Sequence, residues 1–243
     1  MSGIAGFAGS IRTVVIGASG GIGAAVTQRL LADPGVTEVL ALSRRPVAPA
    51  GKLRTGFLDL ADEASIVDAA AMAGAAEFVF VASGLLHQDG VQPEKSWRTL
   101  DAAALARLFQ VNAIGPALVA KHFLPRLPRH GRAVFAVLSA KVGSIADNRL
   151  GGWYGYRASK AALNQIVRTT AIELARSRPE TICVALHPGT VDTPLSQPFQ
   201  AAVPPDRLFP PSVAAAHLLH VLGGLTPADS GGLFAWDGQR LPY

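Results

Sequence analysis

Apolar positions in this chain form short, nearly continuous runs, separated by longer stretches in which they recur every three or four residues. The short runs are TVVIG (13–17), EVLALS (38–43), LRTGFL (53–58), EFVFVA (77–82), AVFAVLS (133–139), TICVALH (181–187) and GLFAW (232–236). They do not alternate with polar residues, which is the pattern of strands covered on both faces. The longer Ala- and Leu-rich stretches predict helices near 21–32, 62–73, 101–127, 155–177 and 212–223. Alternation of helices with buried strands implies a three-layer α/β fold, a doubly wound parallel sheet of about seven strands. No repeat or linker interrupts it, so residues 1–243 are expected to form a single domain. Residues 1–11 read as a loose glycine-rich leader. The Pro-rich stretch 193–211 is too long for an ordinary connection and is expected to be a substrate loop.

Composition narrows the class. Of 243 residues, 49% are apolar and 16% charged, enough to build a large core and too few charges for a disordered chain. The net charge of +5 comes mostly from scattered arginines, with no accompanying nucleic-acid motif, so no nucleic-acid partner is expected. The lone Cys183 excludes an intramolecular disulfide and a multi-cysteine zinc site, and reads as a small buried hydrophobe. No uninterrupted apolar run approaches the ~18 residues of a membrane span. The expectation is a cytoplasmic protein with no membrane span.

The first predicted strand runs into GASGGIG, with glycines at 17, 20, 21 and 23, and then into a helix. A strand-to-helix turn needs glycine where φ is positive or where backbone must approach a ligand. The helix then directs unpaired N–H groups and its positive end at that ligand. Gly17, Ser19, Gly20, Gly21, Ile22 and Gly23 are therefore expected to cradle a dinucleotide pyrophosphate, which makes the fold Rossmann-like. The second strand ends in Ser43, Arg44 and Arg45, with no carboxylate. Acidic residues near this point bond a ribose 2′-hydroxyl, whereas arginine grips a 2′-phosphate, so NADP(H) is preferred and NAD(H) is possible. Asp59, followed by Leu60, lies just past the third strand. It either bonds the adenine amino group or caps the helix starting near Asp62.

GGWYGYRASKAALN holds two tyrosines and one lysine. On a helix, Tyr156 and Lys160 lie about 40° apart and share a face, whereas Tyr154 and Lys160 are about 240° apart. Only Tyr156 pairs with the lysine. An ammonium beside a phenol favours the phenolate, so the tyrosine pKa is expected to fall from its usual ~10, which suits general acid–base work. Tyr154 reads as pocket wall or packing.

GASGGIG together with YRASKAALN resembles the short-chain dehydrogenase/reductase superfamily, over nearly the whole chain. The resemblance implies that Tyr156 is the general acid and that Lys160 binds the nicotinamide ribose and tunes Tyr156. Asn112, in VNAIG, matches the asparagine that supports a proton-relay water. Ala82, Ser83 and Gly84 stand where the family usually has Asn-Ala-Gly. HPGTVDT matches the segment beside the nicotinamide, with Pro188, Gly189 and Val191 along the cofactor and Thr190 and Thr193 as candidate contacts. LSAKVGSIADNRLGGWYGYRASKAALN and the ending GGLFAWDGQRLPY are similar to the subgroup of C-factor and the sniffer-type carbonyl reductases. The family's catalytic serine is the second of Ser-Ser-x-x-Gly. Here the sequence is Ser139-Ala140-Lys141-Val142-Gly143, which puts Ala140 in strict register. A bulge would let Ser139 serve, Ser144 is a second substitute, and a site without serine is the third reading.

The resemblance implies an NADP(H)-dependent oxidoreductase acting on a small-molecule carbonyl or alcohol, and a homodimer or homotetramer. The alternative is an NAD(P)-binding sensor or signalling protein with little turnover. Leu85, Leu86, Trp153 and the 193–211 loop read as apolar pocket wall or as ordinary packing. His87 reads as an exposed loop residue or a substrate contact. His122, His130, His217 and His220 show no partner carboxylate and no metal spacing, so no metal is expected.

Overall fold

A computed structural model of the chain describes residues 6–243 except Ala8 and Asp89; most of the expected leader thus lies outside the described residues. The strands are β1 (Ile11–Ile16), β2 (Val36–Ser43), β3 (Leu53–Phe57), β4 (Phe78–Val81), β5 (Ala133–Leu138), β6 (Thr181–His187), β7 (Thr190–Val191), β8 (Leu208–Phe209), β9 (Leu233–Ala235) and β10 (Arg240–Leu241). The helices are α1 (Gly21–Ala32), α2 (Glu63–Ala73), α3 (Ala102–Phe109), α4 (Gly115–Phe123), α5 (Tyr154–Ser177) and α6 (Pro211–Gly224).

The main sheet runs β10-β9-β6-β5-β4-β1-β2-β3. Seven of its strands are parallel, as expected, and β10 adds a short antiparallel edge by pairing with β9. Two residues carry no readable period, so the eighth strand left no trace in the sequence pattern. Side chains alternate across each strand. Phe78 and Phe80 of β4 point to the layer holding Val26, Leu30, Leu218 and Leu222 of α1 and α6. Val79 and Val81 point to the layer holding Ile66, Val119, Phe123 and Leu163 of α2, α4 and α5. Both faces are thereby covered, which is why the strands read as unbroken apolar runs.

The stretch 101–127 is not one regular helix. Between α3 and α4 it passes through a π-helical turn, Gln110–Ile114, closed by the Gly115 N–H donating to the Gln110 carbonyl. Pro116 explains the change: it has no N–H to bond the Asn112 carbonyl four residues earlier. The helical run Ala102–Arg126 is, by length and composition alone, apolar enough to cross a membrane. Its Leu108, Val119 and Phe123 are fully buried here under neighbouring elements.

The strand order reverses between β1 and β4, so their connections diverge to opposite faces and a crevice opens at the carboxyl ends of the strands. One histidine near that edge sets an acid limit on stability. His187 closes β6, and its Nδ1 is buried without a hydrogen-bond partner among the described residues. Burial pushes its pKa down to about 4, with Lys141 adding to the shift and Asp237 opposing it. The unfolded chain takes up this proton near pH 6.5, the folded one only near pH 4. The group therefore leaves stability unchanged above pH 6.5 and lowers it between 6.5 and 4, by no more than about 1.4 kcal/mol per pH unit. Urea unfolding of wild type and His187→Phe across this range is expected to show a shallower acid decline in the variant; parallel declines would contradict the assignment.

Candidate active site

The carboxyl ends of β1 to β6 converge on a cavity of about 570 Å³. Its floor begins at the first glycine turn. Gly17 has φ +84°, and a Cβ there would lie 2.5 Å from Ser83 Oγ. Gly23 does not line the cavity. Its missing side chain lets α1 close against the Gly17 carbonyl. Gly20 is the N-cap of α1, with no side-chain cap and no acidic residue in the first turn. Among the described residues, the first N–H groups of α1 thus have neither a helical partner nor a capping carboxylate. With Ser19, Gly21 and Ile22 also lining the cavity, the turn fits an anionic diphosphate.

Ser43, Arg44 and Arg45 form the next wall. Ser43 is buried and its Oγ accepts the Arg45 N–H at 3.3 Å. Both arginines are exposed, and neither joins an ion pair among the described residues. Asp59 and Leu60 line the same side. Asp62, not Asp59, caps α2, accepting the Ala64 N–H at 3.0 Å; Asp59 Oδ1 accepts the Ala61 N–H at 2.9 Å. Ala82, Ser83 and Gly84 continue the lining between the two walls.

Tyr156 and Lys160 both face this cavity and are 8% and 2% exposed. The Lys160 ammonium donates to the Leu138 carbonyl at 2.8 Å and lies 5.9 Å from the centre of the Tyr156 ring. A Cβ at Gly84 would stand 3.6 Å from Lys160 Nζ and 3.7 Å from Asn112 Oδ1, so the end of β4 meets both residues. Tyr154 is 38% exposed and outside the lining, which corrects its reading as pocket wall. Two residues along a helix is a turn of about 200°, so a register that buries Tyr156 exposes Tyr154. Trp153 also lies outside the lining and packs behind it, its ring 6.2 Å from Tyr156 and 5.0 Å from Phe199.

The charges depart from expectation. Burial pushes the Tyr156 phenol up to about 12 and the Lys160 ammonium down to about 7. Both ionised forms lose water, and burial that disfavours the ammonium weakens its pull on the neighbouring phenol. The phenol is therefore protonated near neutral pH.

Asn112 is fully buried. Its Oδ1 accepts the Leu85 N–H at 2.8 Å, and its Nδ2 donates to the Leu85 carbonyl at 2.8 Å and to Ser159 Oγ at 3.0 Å. The side chain anchors the loop after β4 and does not line the cavity. Ser139 does line it, but its hydroxyl donates to Asn164 Oδ1 at 2.7 Å. β5 ends at Leu138 without a bulge that would turn Ser139 toward Tyr156. Ala140 instead packs with Trp153, Val142 and Tyr156 in an apolar cluster. Ser144 Oγ accepts the Asp147 N–H at 3.1 Å, in a turn outside the lining.

Pro188 and Thr193 line the cavity, together with Pro194 and Leu195 of the long loop. Gly189 and Val191 do not. Gly189 lies against Phe209 and Trp236, and Val191 pairs with Phe209 in the β7–β8 ladder. That ladder clips the loop at both ends. His87 holds its start, with Nε2 3.1 Å from the Pro194 carbonyl and its ring edge on Phe199. His122 has a carboxylate partner after all: Nε2 lies 2.8 Å from Glu63 Oε1. Among the described residues no group of histidine, cysteine and carboxylate side chains is arranged to hold a metal.

Sequence reasoning missed Leu58, Gln88, Arg107, Val111 and Leu138, all of which line the cavity. Arg107 and Val111 are four apart, a helical face that was readable; that this face looks into the crevice was not.

Comparison with known proteins agrees with this architecture. The short chain dehydrogenase family model matches residues 12–203. The C-signal protein of Myxococcus xanthus is 38% identical over 145 residues, which is 59% of this chain and 81% of that protein. The NADPH-bound carbonyl reductase from chicken fatty liver superposes with a TM-score of 0.85 at 25% identity, covering 99% of this chain and 96% of that one. The carbonyl reductase Sniffer of D. melanogaster has a TM-score of 0.82 at 21% identity, covering 96% and 100%. With the family model spanning most of the sequence and the fold shared almost end to end, the chain belongs to the short chain dehydrogenase family.

Proposed function

We propose that this protein is an NADP(H)-dependent oxidoreductase that interconverts a carbonyl and an alcohol. One observation carries the reading: Tyr156 and Lys160 are buried in the same cavity as an uncapped, acid-free helix N-terminus. An anion cradle and a proton donor that share one cavity fit a phosphate-bearing cofactor laid beside a reacting carbonyl. The cradle holds the diphosphate, and Arg44 and Arg45 take the 2′-phosphate. NADPH is also the ligand of the chicken reductase. When bound, the cofactor supplies the hydride for the carbonyl carbon.

The chain supplies the proton. Tyr156, protonated at neutral pH, donates its hydroxyl to the carbonyl oxygen and then its proton to the alkoxide. Lys160 stands behind it as an ammonium whose proton is easily lost, and it binds the nicotinamide ribose. Asn112 carries two roles. Its side chain fixes Leu85, and its carbonyl, lacking the N–H that Pro116 cannot offer, accepts a relay water that returns the proton to Lys160. Leu85 lines the cavity with Leu86, Ala140, Val142, Trp153 and Phe199 packed in the apolar cluster behind it, and Thr193, Pro194 and Leu195 of the long loop extend the lining, which suits an apolar substrate. With the Ser139 hydroxyl donating to Asn164 and Ala140 at the family's serine position, Tyr156 is the hydroxyl assigned to the carbonyl.

A second reading follows from that missing hydroxyl and from the likeness to C-signal: a cofactor-binding signalling protein with little turnover. NADPH oxidation across aldehydes, ketones and quinones separates the two. The reductase reading expects turnover in the wild type and a loss of at least 100-fold in Tyr156→Phe; full activity in the variant would overturn the mechanism. Ala140→Ser is expected to raise kcat about tenfold or more, by adding a donor to the developing oxyanion. Ser139→Ala is expected to leave kcat within about threefold and to lower stability by about 1–3 kcal/mol, since it strips a buried partner from Asn164. The reverse pattern would make Ser139 the donor. Arg44→Ala with Arg45→Ala is expected to weaken NADPH binding at least tenfold and NADH binding little, measured by nicotinamide fluorescence; equal losses would point away from the 2′-phosphate.

A further inference from the structure

Glu94 is a buried carboxylate that the proposed chemistry does not use. It is 6% exposed, and no cation pairs with it among the described residues. Both of its carboxylate oxygens lie 3.2 Å from the Gly155 nitrogen. Its backbone carbonyl accepts the Trp153 N–H. The residue therefore grips, through side chain and backbone, the segment that starts α5.

That start needs an outside hold. Its N-cap is Trp153, which has no side-chain cap for the helix and sits in the left-handed region at φ 52°, the one non-glycine residue with positive φ among those described. A bulky side chain in that conformation is costly and persists only where its surroundings fix it. α5 is 24 residues long, and its first turn has no acidic residue of its own. A carboxylate from elsewhere in the chain supplies what a capping side chain would: acceptors for an orphan N–H and negative charge at the positive end of the helix. Tyr156 is one residue beyond Gly155.

The same loop is tied at its other end. Leu85 is pinned by Asn112, while Leu86, Val91 and Tyr156 share one apolar cluster. Glu94 thus closes a circuit running from Asn112 through the substrate wall to the first turn of α5. We infer that Glu94 is a positioning residue: it caps α5 from outside, and thereby fixes Tyr156 relative to Lys160 and to the substrate wall.

This inference rests on Tyr156 acting as the proton donor, and its test separates the two ideas. Glu94→Gln keeps an oxygen acceptor for the Gly155 N–H, whereas Glu94→Ala removes it. Ser96→Ala serves as control, because it loosens the neighbouring turn without touching α5. Amide hydrogen exchange at residues 154–156 reads the cap whether or not the protein turns over. Glu94→Ala is expected to speed that exchange at least tenfold and to lower kcat at least tenfold, with NADPH affinity within about twofold of wild type. Glu94→Gln is expected to restore most of both, and Ser96→Ala to change neither. An active wild type with unchanged kcat and exchange in Glu94→Ala would overturn the inference, as would equal losses of kcat in the Gln and Ala variants. If Glu94→Ala does not fold, Glu94→Asp decides, since it keeps the charge but draws the carboxylate back from the Gly155 N–H by one methylene. Unchanged exchange at Tyr156 in that variant would equally overturn it. A wild type with no turnover sinks the reductase reading alone, and the exchange result still stands on its own.

Discussion

The site depends on one costly arrangement: a lysine ammonium taken out of water, with the Leu138 carbonyl as its one hydrogen-bond partner among the described residues. An ion in such a place loses hydration that one hydrogen bond does not replace, so its proton becomes easy to remove. The fold tolerates the arrangement because the surrounding elements are fixed independently. β4 and β5 run buried along their whole length, and α5 packs Leu163, Val167 and Leu174 into the core below. The helix that presents Lys160 to the cavity is held by hydrophobic burial, which needs nothing from the charge.

The other polar groups of the site are arranged around that helix. Ser159 and Asn164 of α5 accept hydrogen bonds from Asn112 and Ser139, so residues that a family pattern would read as separate catalytic members also join α5 to its neighbours. The glycine turn is built on the opposite principle. It ties the Gly17 and Ala18 N–H groups to the Leu42 carbonyl and the Gly20 N–H to that of Gly17, and presents the first N–H groups of α1, which have no acceptor among the described residues, at an open edge of the sheet. A cavity with unpaired donors at one end and a proton-bearing phenol at the other is suited to a ligand that spans both.

Much of this was legible in the sequence because it is periodic. Buried parallel strands write themselves as apolar runs, and the seven runs fall on the seven parallel strands, although β3, at the sheet's edge, is mostly open to solvent. Four-residue spacing on α5 distinguished Tyr156 from Tyr154 without any coordinates. The features that were not legible depend on tertiary contacts. Nothing local says that Ser139 bonds Asn164, 25 residues later. The same holds for Glu94 reaching Gly155 across 61 residues, and for His122 finding Glu63. The direction of the tyrosine shift was misread for a related reason: spacing reveals a neighbouring charge, whereas depth of burial emerges only from the folded chain, and here burial wins.

The Ala140 position sharpens the functional question. A hydroxyl is absent from the place where the family pattern puts one, and the hydroxyl one residue earlier is committed to Asn164. The proposed chemistry therefore relies on Tyr156 and on the proton of Lys160. The most direct measurement is the titration of Lys160 itself, followed by the NMR shift of its labelled side chain in the cofactor-free protein. A midpoint near pH 7 is expected, well below that of an ordinary lysine. A midpoint near 10 would mean that the ammonium is solvated, and would contradict the buried Tyr156–Lys160 pair on which the reading rests.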